Sequence, residues 1–170
     1  ETAVRWGLDY LFGMVDSQRN FTPIWAHDLD AERAALEEFI AFVVARREQH
    51  PGMHIYHYAP YERTHLLSIA ARHATCEAEV DQLMRERVLV DLYPIVRNAL
   101  RIGSRSYSIK KLEPLYMGDE LRAEDGVVDG AQSVAEYAEA QTMLLSADAH
   151  ERERAVRKLE AIADYNRYDC

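Results

Sequence analysis

The stretch Met53-His54-Ile55-Tyr56-His57-Tyr58-Ala59-Pro60-Tyr61-Glu62 decides the fold class. His54 to Tyr58 is a short run of aromatic and β-branched residues, which predicts a strand. Pro60 stands where a helix can begin, because its missing N–H costs nothing in a first turn. Leu66, Leu67, Ile69 and Ala70 then supply an apolar helix face. A strand that runs straight into a helix is the building unit of a layered α/β domain. The end of such a strand is where α/β sheets place active groups, and Glu62 sits there. Glu62 is either a site carboxylate or a first-turn acid favoured by the helix dipole.

Upstream, Leu8 to Val15 is nearly all apolar and predicts a buried strand. Asp16 to Asn20 is polar turn material, and Phe21 to Ala26 predicts a second strand in a hairpin with the first, irregular or at an edge because of Pro23. From Asp30 the period becomes helical through Leu36, Phe39, Ile40, Val43 and Val44, with Asp28 or Asp30 as cap and Pro51-Gly52 after the end.

Downstream, Glu77 to Arg87 predicts a helix, Val88 to Leu92 a strand and Pro94 to Leu100 a helix. Ser108 is a candidate cap for the helix through Ile109 to Met117, and Met117 to Gly130 is the richest loop in Gly, Asp and Glu. Helices over Gln132 to Leu145 and Glu151 to Tyr168 complete the chain. Strands alternating with helices predict an α/β fold with a mixed sheet flanked by helices.

The 170 residues suit one domain, taken as 1–170. Acidic residues number 29 and basic ones 20, a formal charge of −9. A uniformly acidic surface repels phosphate backbones, which excludes a basic-coat nucleic-acid binder. It does not exclude an enzyme that meets nucleic acid through metal cations and one local basic patch. Apolar runs such as Phe39 to Ala45 fall far short of the roughly 20 residues that span a bilayer, so no membrane partner is expected. Two cysteines, Cys76 and Cys170, form neither a disulfide scaffold nor a zinc knuckle, and a cytoplasmic location follows as the default.

Two further places carry candidate chemistry. Tyr165 and Asp169 are four residues apart and share a helix face, so a phenol and a carboxylate point the same way. They are either a site pair or part of an amphipathic last turn. Lys110 and Lys111 are the only adjacent lysines, with Arg97, Arg101 and Arg105 before them and Tyr107 beside them. That local positive stretch is either a phosphate-binding strip or a solvated helix face. Asp91, ending an apolar strand, predicts a structural hydrogen bond to a helix or loop N–H. The seven histidines form no ligand set, and His73 has no matching acid in the sequence. All seven are expected to be packing or surface residues.

Taken in order, GLDYLFG, MHIYHYAPYE, VLVDLYPIVR, SYSIKKLEPLYMGDE, SVAEY and IADYNRYDC resemble the ribonuclease H-like exonuclease superfamily of the DEDD type. More narrowly, they resemble the ribonuclease H-like domain of RecB-type nucleases. The resemblance implies a metal-dependent nuclease domain, a 3′–5′ exonuclease hydrolysing DNA phosphodiester bonds by a two-metal mechanism with Mg²⁺ or Mn²⁺. It implies single-stranded DNA ends as partner, and a parent chain carrying further nuclease or helicase domains. By the same resemblance Glu62 and Asp169 are metal ligands and Tyr165 orients the attacking water. Asp91 is structural, and Tyr107, Lys110 and Lys111 contact nucleic acid.

The family's first motif, Asp-x-Glu on the central strand, does not occur ahead of LDYLFG, and Glu1 does not match it. The expectation is therefore a fragment of a larger protein that lacks its first, central strand and is inactive by itself. The alternative is a catalytically inactive ribonuclease H-like module for nucleic-acid binding or scaffolding.

Overall fold

The structure is a computed structural model and describes residues 7–117 and 130–170. Most of the Met117 to Gly130 loop, and Glu1 with its neighbours, lie outside the described residues. The element order is β1 Leu11–Val15, β2 Phe21–Trp25, α1 Leu29–Gln49, β3 Ile55–His57, α2 Tyr61–His73, α3 Glu77–Arg85, β4 Leu89–Asp91, α4 Leu92–Ala99, α5 Ile109–Tyr116, α6 Gly130–Leu144 and α7 Ala149–Asp169. The mixed α/β class expected from the alternation is present. Its strands form two two-stranded sheets, β1-β2 and β3-β4, instead of one continuous sheet among the described residues. The chain divides into two compact units, Glu1–Pro23 with Asp119–Cys170, and Ile24–Gly118.

In the Ile24–Gly118 unit, Asp28 caps α1 by accepting the Ala31 N–H at 2.7 Å. The stripe Leu36, Phe39, Ile40 and Val43 is buried together with Leu66, Ile69 and Ala70 of α2 and Val80 and Leu83 of α3. Each of these side chains except the smaller Ala70 contributes about 1.5–3 kcal/mol by leaving water. Val44 and Leu67, expected on these apolar faces, are exposed instead, because each stands at the edge of its stripe.

Two glutamates of this unit are buried, Glu32 and Glu113. Glu32, on the first turn of α1, is fully buried and accepts hydrogen bonds from Arg72 Nη1 at 2.8 and 2.9 Å. His73 Nε2 lies 2.6 Å from Glu32 Oε2, which corrects the expectation that His73 has no matching acid. The acid is 41 positions away, so only the packing of α1 against α2 reveals it.

β3 and β4 run parallel in the register Ile55↔Leu89, Tyr56↔Val90 and His57↔Asp91. Both strands therefore end together, at His57 and Asp91. Ser108 stands at the N-cap of α5 with extended backbone, but its side chain makes no capping bond, so the expected cap is positional only.

In the other unit, α6 packs along α7, and α7 also packs against β1. Tyr137, Ala140, Ala155 and Ile162 are buried. Tyr10 stacks on Tyr137 with ring centroids 4.0 Å apart and shares a 2.7 Å hydrogen bond with Ser133. Lys158 of α7 pairs with Glu136 and Glu139 of α6.

Candidate active site

The turn from β3 into α2 is built around Ala59, whose φ of 71° lies in the left-handed region. For a residue with a Cβ this conformation is strained, by about 1–2 kcal/mol. Hydrogen bonds from both neighbouring strand ends hold it there. Asp91 Oδ1 accepts the Ala59 N–H at 2.9 Å, and His57 Nδ1 donates to the Ala59 carbonyl at 2.8 Å. Pro60 follows and starts α2, which places Glu62 in the first turn.

Glu62 Oε2 lies 3.3 Å from His57 Nδ1, and the Glu62 side chain is half exposed while that of His57 is buried. Burial pushes the Glu62 carboxyl up from its ordinary value, and the nearby Asp91 charge adds to that; its own backbone amide and His57 oppose it. Asp91 Oδ1 also accepts the Tyr93 N–H at 2.9 Å and so caps α4. One carboxylate oxygen therefore bonds both a loop N–H and a helix N–H.

Tyr58 ties this turn to the basic stretch. Its hydroxyl donates to the Tyr107 carbonyl, and its ring meets Tyr93 edge-on at 5.6 Å. Burial pushes the Tyr58 phenol up, with the charges of Tyr93 and Asp91 adding to it. The Tyr107 hydroxyl in turn donates to the Leu100 carbonyl at 3.0 Å. Ser108 follows, and then Lys110 and Lys111 stand in the first turn of α5, where the helix dipole also favours an anion. Lys111, Arg97, Arg101 and Arg105 are exposed and Lys110 is half-buried.

Of the residues singled out in the sequence, Glu62, Asp91, Tyr107, Lys110 and Lys111 thus belong to one unit. Tyr165 and Asp169 belong to the other. There both are half-buried on the last turns of α7. Asn166, between them, approaches β1 so closely that a Cβ on Gly13 would stand 1.7 Å from its Oδ1. Glycine at position 13 is what lets the Asn166 side chain come this near to β1.

The sequence profile of the RNase H superfamily matches residues 1–170. The chain belongs to the RNase H superfamily. A search of curated proteins and a search of solved structures each found no match. Members of the RNase H superfamily that are nucleases bind nucleic acid and generally use divalent metals. Glu62 and Asp169 are hard oxygen donors of the kind Mg²⁺ and Mn²⁺ prefer. Among the described residues, however, no three Asp, Glu, His or Cys side chains gather as a metal shell. The donor kind fits the ion, and the donor number does not complete a site. Also among the described residues, no helix is long and apolar enough to cross a membrane.

His57, expected to be a packing or surface residue, is buried, and its Nδ1 lies beside the candidate carboxylate Glu62, a contact the sequence did not disclose. Its one available signal was its place at a strand end five residues before Glu62, and neither helix nor strand periodicity links two such positions.

Proposed function

We propose that this RNase H superfamily chain, taken as one domain over 1–170, is the nuclease domain of a RecB-type DNA-processing protein and acts as a 3′–5′ exonuclease on single-stranded DNA ends. Glu62 and Asp169 serve as carboxylate ligands of Mg²⁺ or Mn²⁺, which when bound supplies an activated hydroxide and stabilises the leaving oxygen. Tyr165 orients the attacking water. Tyr107, Lys110 and Lys111 hold the phosphate backbone, and further domains of the parent protein supply what this domain does not.

The observation that carries the reading is the hydrogen bond from the Tyr58 hydroxyl to the Tyr107 carbonyl. It fastens a local basic stretch of an acidic chain to the turn that presents Glu62. A local cation strip beside a sheltered carboxylate suits a phosphodiester substrate, which needs its negative backbone held while its scissile bond meets acidic groups.

The test uses the full-length protein with single-stranded DNA and Mn²⁺. Asp169→Asn is expected to abolish cleavage while leaving DNA binding in place. Lys110→Glu is expected to weaken binding of all sequences alike and to lower the salt-dependence slope by about 1. Undiminished cleavage by Asp169→Asn would reject the reading.

A second reading, a non-catalytic module that binds nucleic acid or scaffolds its neighbours, is favoured by the state of Glu62. Its carboxyl is biased toward the neutral form and faces a histidine. A cation must compete with that raised proton affinity, which weakens its hold on the carboxylate. DNA binding without cleavage and without Mn²⁺ uptake would select this second reading.

A further inference from the structure

We propose that His57 and Asp91 are positioning residues for Glu62, acting by holding both peptide groups of Ala59 in the left-handed turn that aims α2. The inference rests on the reading of Glu62 as a working carboxylate.

Left-handed backbone is normally assigned to glycine, which has no Cβ to clash. Here the residue is alanine, with φ 71°, so the surrounding contacts must impose the conformation. The contacts come from the two paired strand ends. His57 and Asp91 are register partners in the parallel β3-β4 pair, so their side chains leave the sheet side by side. Asp91 Oδ1 takes the Ala59 N–H at 2.9 Å, and His57 Nδ1 reaches the Ala59 carbonyl at 2.8 Å. A residue held at both its N–H and its C=O cannot rotate out of the left-handed region without breaking one of these bonds.

Pro60 comes next, with φ −78° set by its ring, and adds no freedom before α2 begins. The direction of the first turn of α2, and with it the place of Glu62, is therefore determined by Ala59. The same imidazole N–H that holds the Ala59 carbonyl lies 3.3 Å from Glu62 Oε2. A carbonyl oxygen only accepts, so Nδ1 must carry the proton whatever the state of Nε2. His57 thus fixes the turn and faces the carboxylate with one donor.

A residue that merely filled space would be replaceable by any side chain of similar bulk. A positioning residue is replaceable only by one that keeps the donor in place. Asparagine puts its Nδ2 close to the position of histidine Nδ1, whereas glutamine and alanine do not. The experiment compares His57→Asn, His57→Gln, His57→Ala and Glu62→Gln in the full chain. It reads Mn²⁺ uptake by the loss of the free-ion resonance, nuclease rate on single-stranded DNA, unfolding by circular dichroism, and the ring nitrogens of His57 by NMR.

His57→Gln and His57→Ala are expected to weaken Mn²⁺ uptake and kcat by about 10–100-fold, as removal of an orienting partner does, and His57→Asn to restore most of both. The wild-type ring is expected to show a protonated Nδ1. If His57→Asn is no better than His57→Gln, or if Nδ1 is found bare, the inference is overturned. Should His57→Ala fail to fold, the asparagine–glutamine comparison and the ring nitrogens still decide. Failure of the underlying reading looks different: Glu62→Gln would then leave Mn²⁺ uptake and cleavage at wild-type levels.

Discussion

Gly13→Ala probes how β1 holds the last turns of α7, where Tyr165 and Asp169 stand. The added Cβ would lie 1.7 Å from Asn166 Oδ1, 2.8 Å from Asn166 Cγ and 3.0 Å from Phe21 Cε2. A carbon atom prefers non-bonded neighbours at about 3.5–4.0 Å, so the Asn166 oxygen must retreat by roughly 2 Å. The obstruction is the tip of a side chain, which can rotate, and this places the cost in the overpacking range of about 1–3 kcal/mol. At about 2–4 °C per kcal/mol for a chain of this size, Tm falls by roughly 2–12 °C.

Asn166→Ala removes the obstructing amide. Combined with Gly13→Ala it should give a protein more stable than the sum of the two single losses, with a coupling of about 0.5–3 kcal/mol. The assay is urea unfolding of the wild type, the two single variants and the double variant, with midpoints compared at constant slope. A Gly13→Ala loss under about 0.5 kcal/mol, or a strictly additive cycle, would refute the close docking of β1 on Asn166.

Three other outcomes follow from the same geometry. Glu32→Gln leaves Arg72 and His73 facing a neutral amide and should destabilise by about 3 kcal/mol, the lower end for a broken buried pair because Arg72 is a third exposed; an unchanged urea midpoint would contradict it. Asp91→Ala removes a helix cap and the charged acceptor for the Ala59 N–H, and should cost about 2–4 kcal/mol, whereas Asp91→Asn, which keeps an acceptor, should cost less. Glu62 has a raised carboxyl pKa in the fold, so its contribution to stability is complete below the unfolded value of 4.5 and is lost as pH rises through the folded value. Glu62→Gln should therefore be the more stable protein near neutral pH, with the gap closing on acidification; chemical denaturation at several pH values checks this, and a glutamine variant weaker than wild type at neutral pH would contradict it.

What the sequence discloses here is what local periodicity and capping chemistry encode. Asp28, with an apolar stripe beginning at Leu36, is enough to start α1, and Tyr165 and Asp169 share a face simply because a helix repeats every 3.6 residues. The β1-β2 hairpin follows from two apolar runs separated by Asp16 to Asn20, and the strand-to-helix turn at Pro60 from the ring geometry of proline. The contacts at Glu62 are of another kind. His57 is joined to Asp91 by strand register, Asp91 to Ala59 across 32 positions, and Tyr58 to Tyr107 across 49. No one-dimensional pattern specifies such pairings, because they arise only when β3 and β4 lie side by side. Glu32 shows the same limit from the opposite side: a first-turn glutamate looks solvated until Arg72 and His73 arrive on the neighbouring helix.

If Glu62 is a working carboxylate of a nuclease, the breakdown of end-labelled DNA depends on it. Single-stranded DNA carrying a 5′ label is incubated with the full-length protein and Mn²⁺, beside its Glu62→Gln variant. The expected result is a ladder of labelled fragments shortened progressively from the 3′ end, absent with a chelator and absent with Glu62→Gln although that variant remains folded and still binds the DNA. Cleavage by Glu62→Gln at the wild-type rate would contradict it.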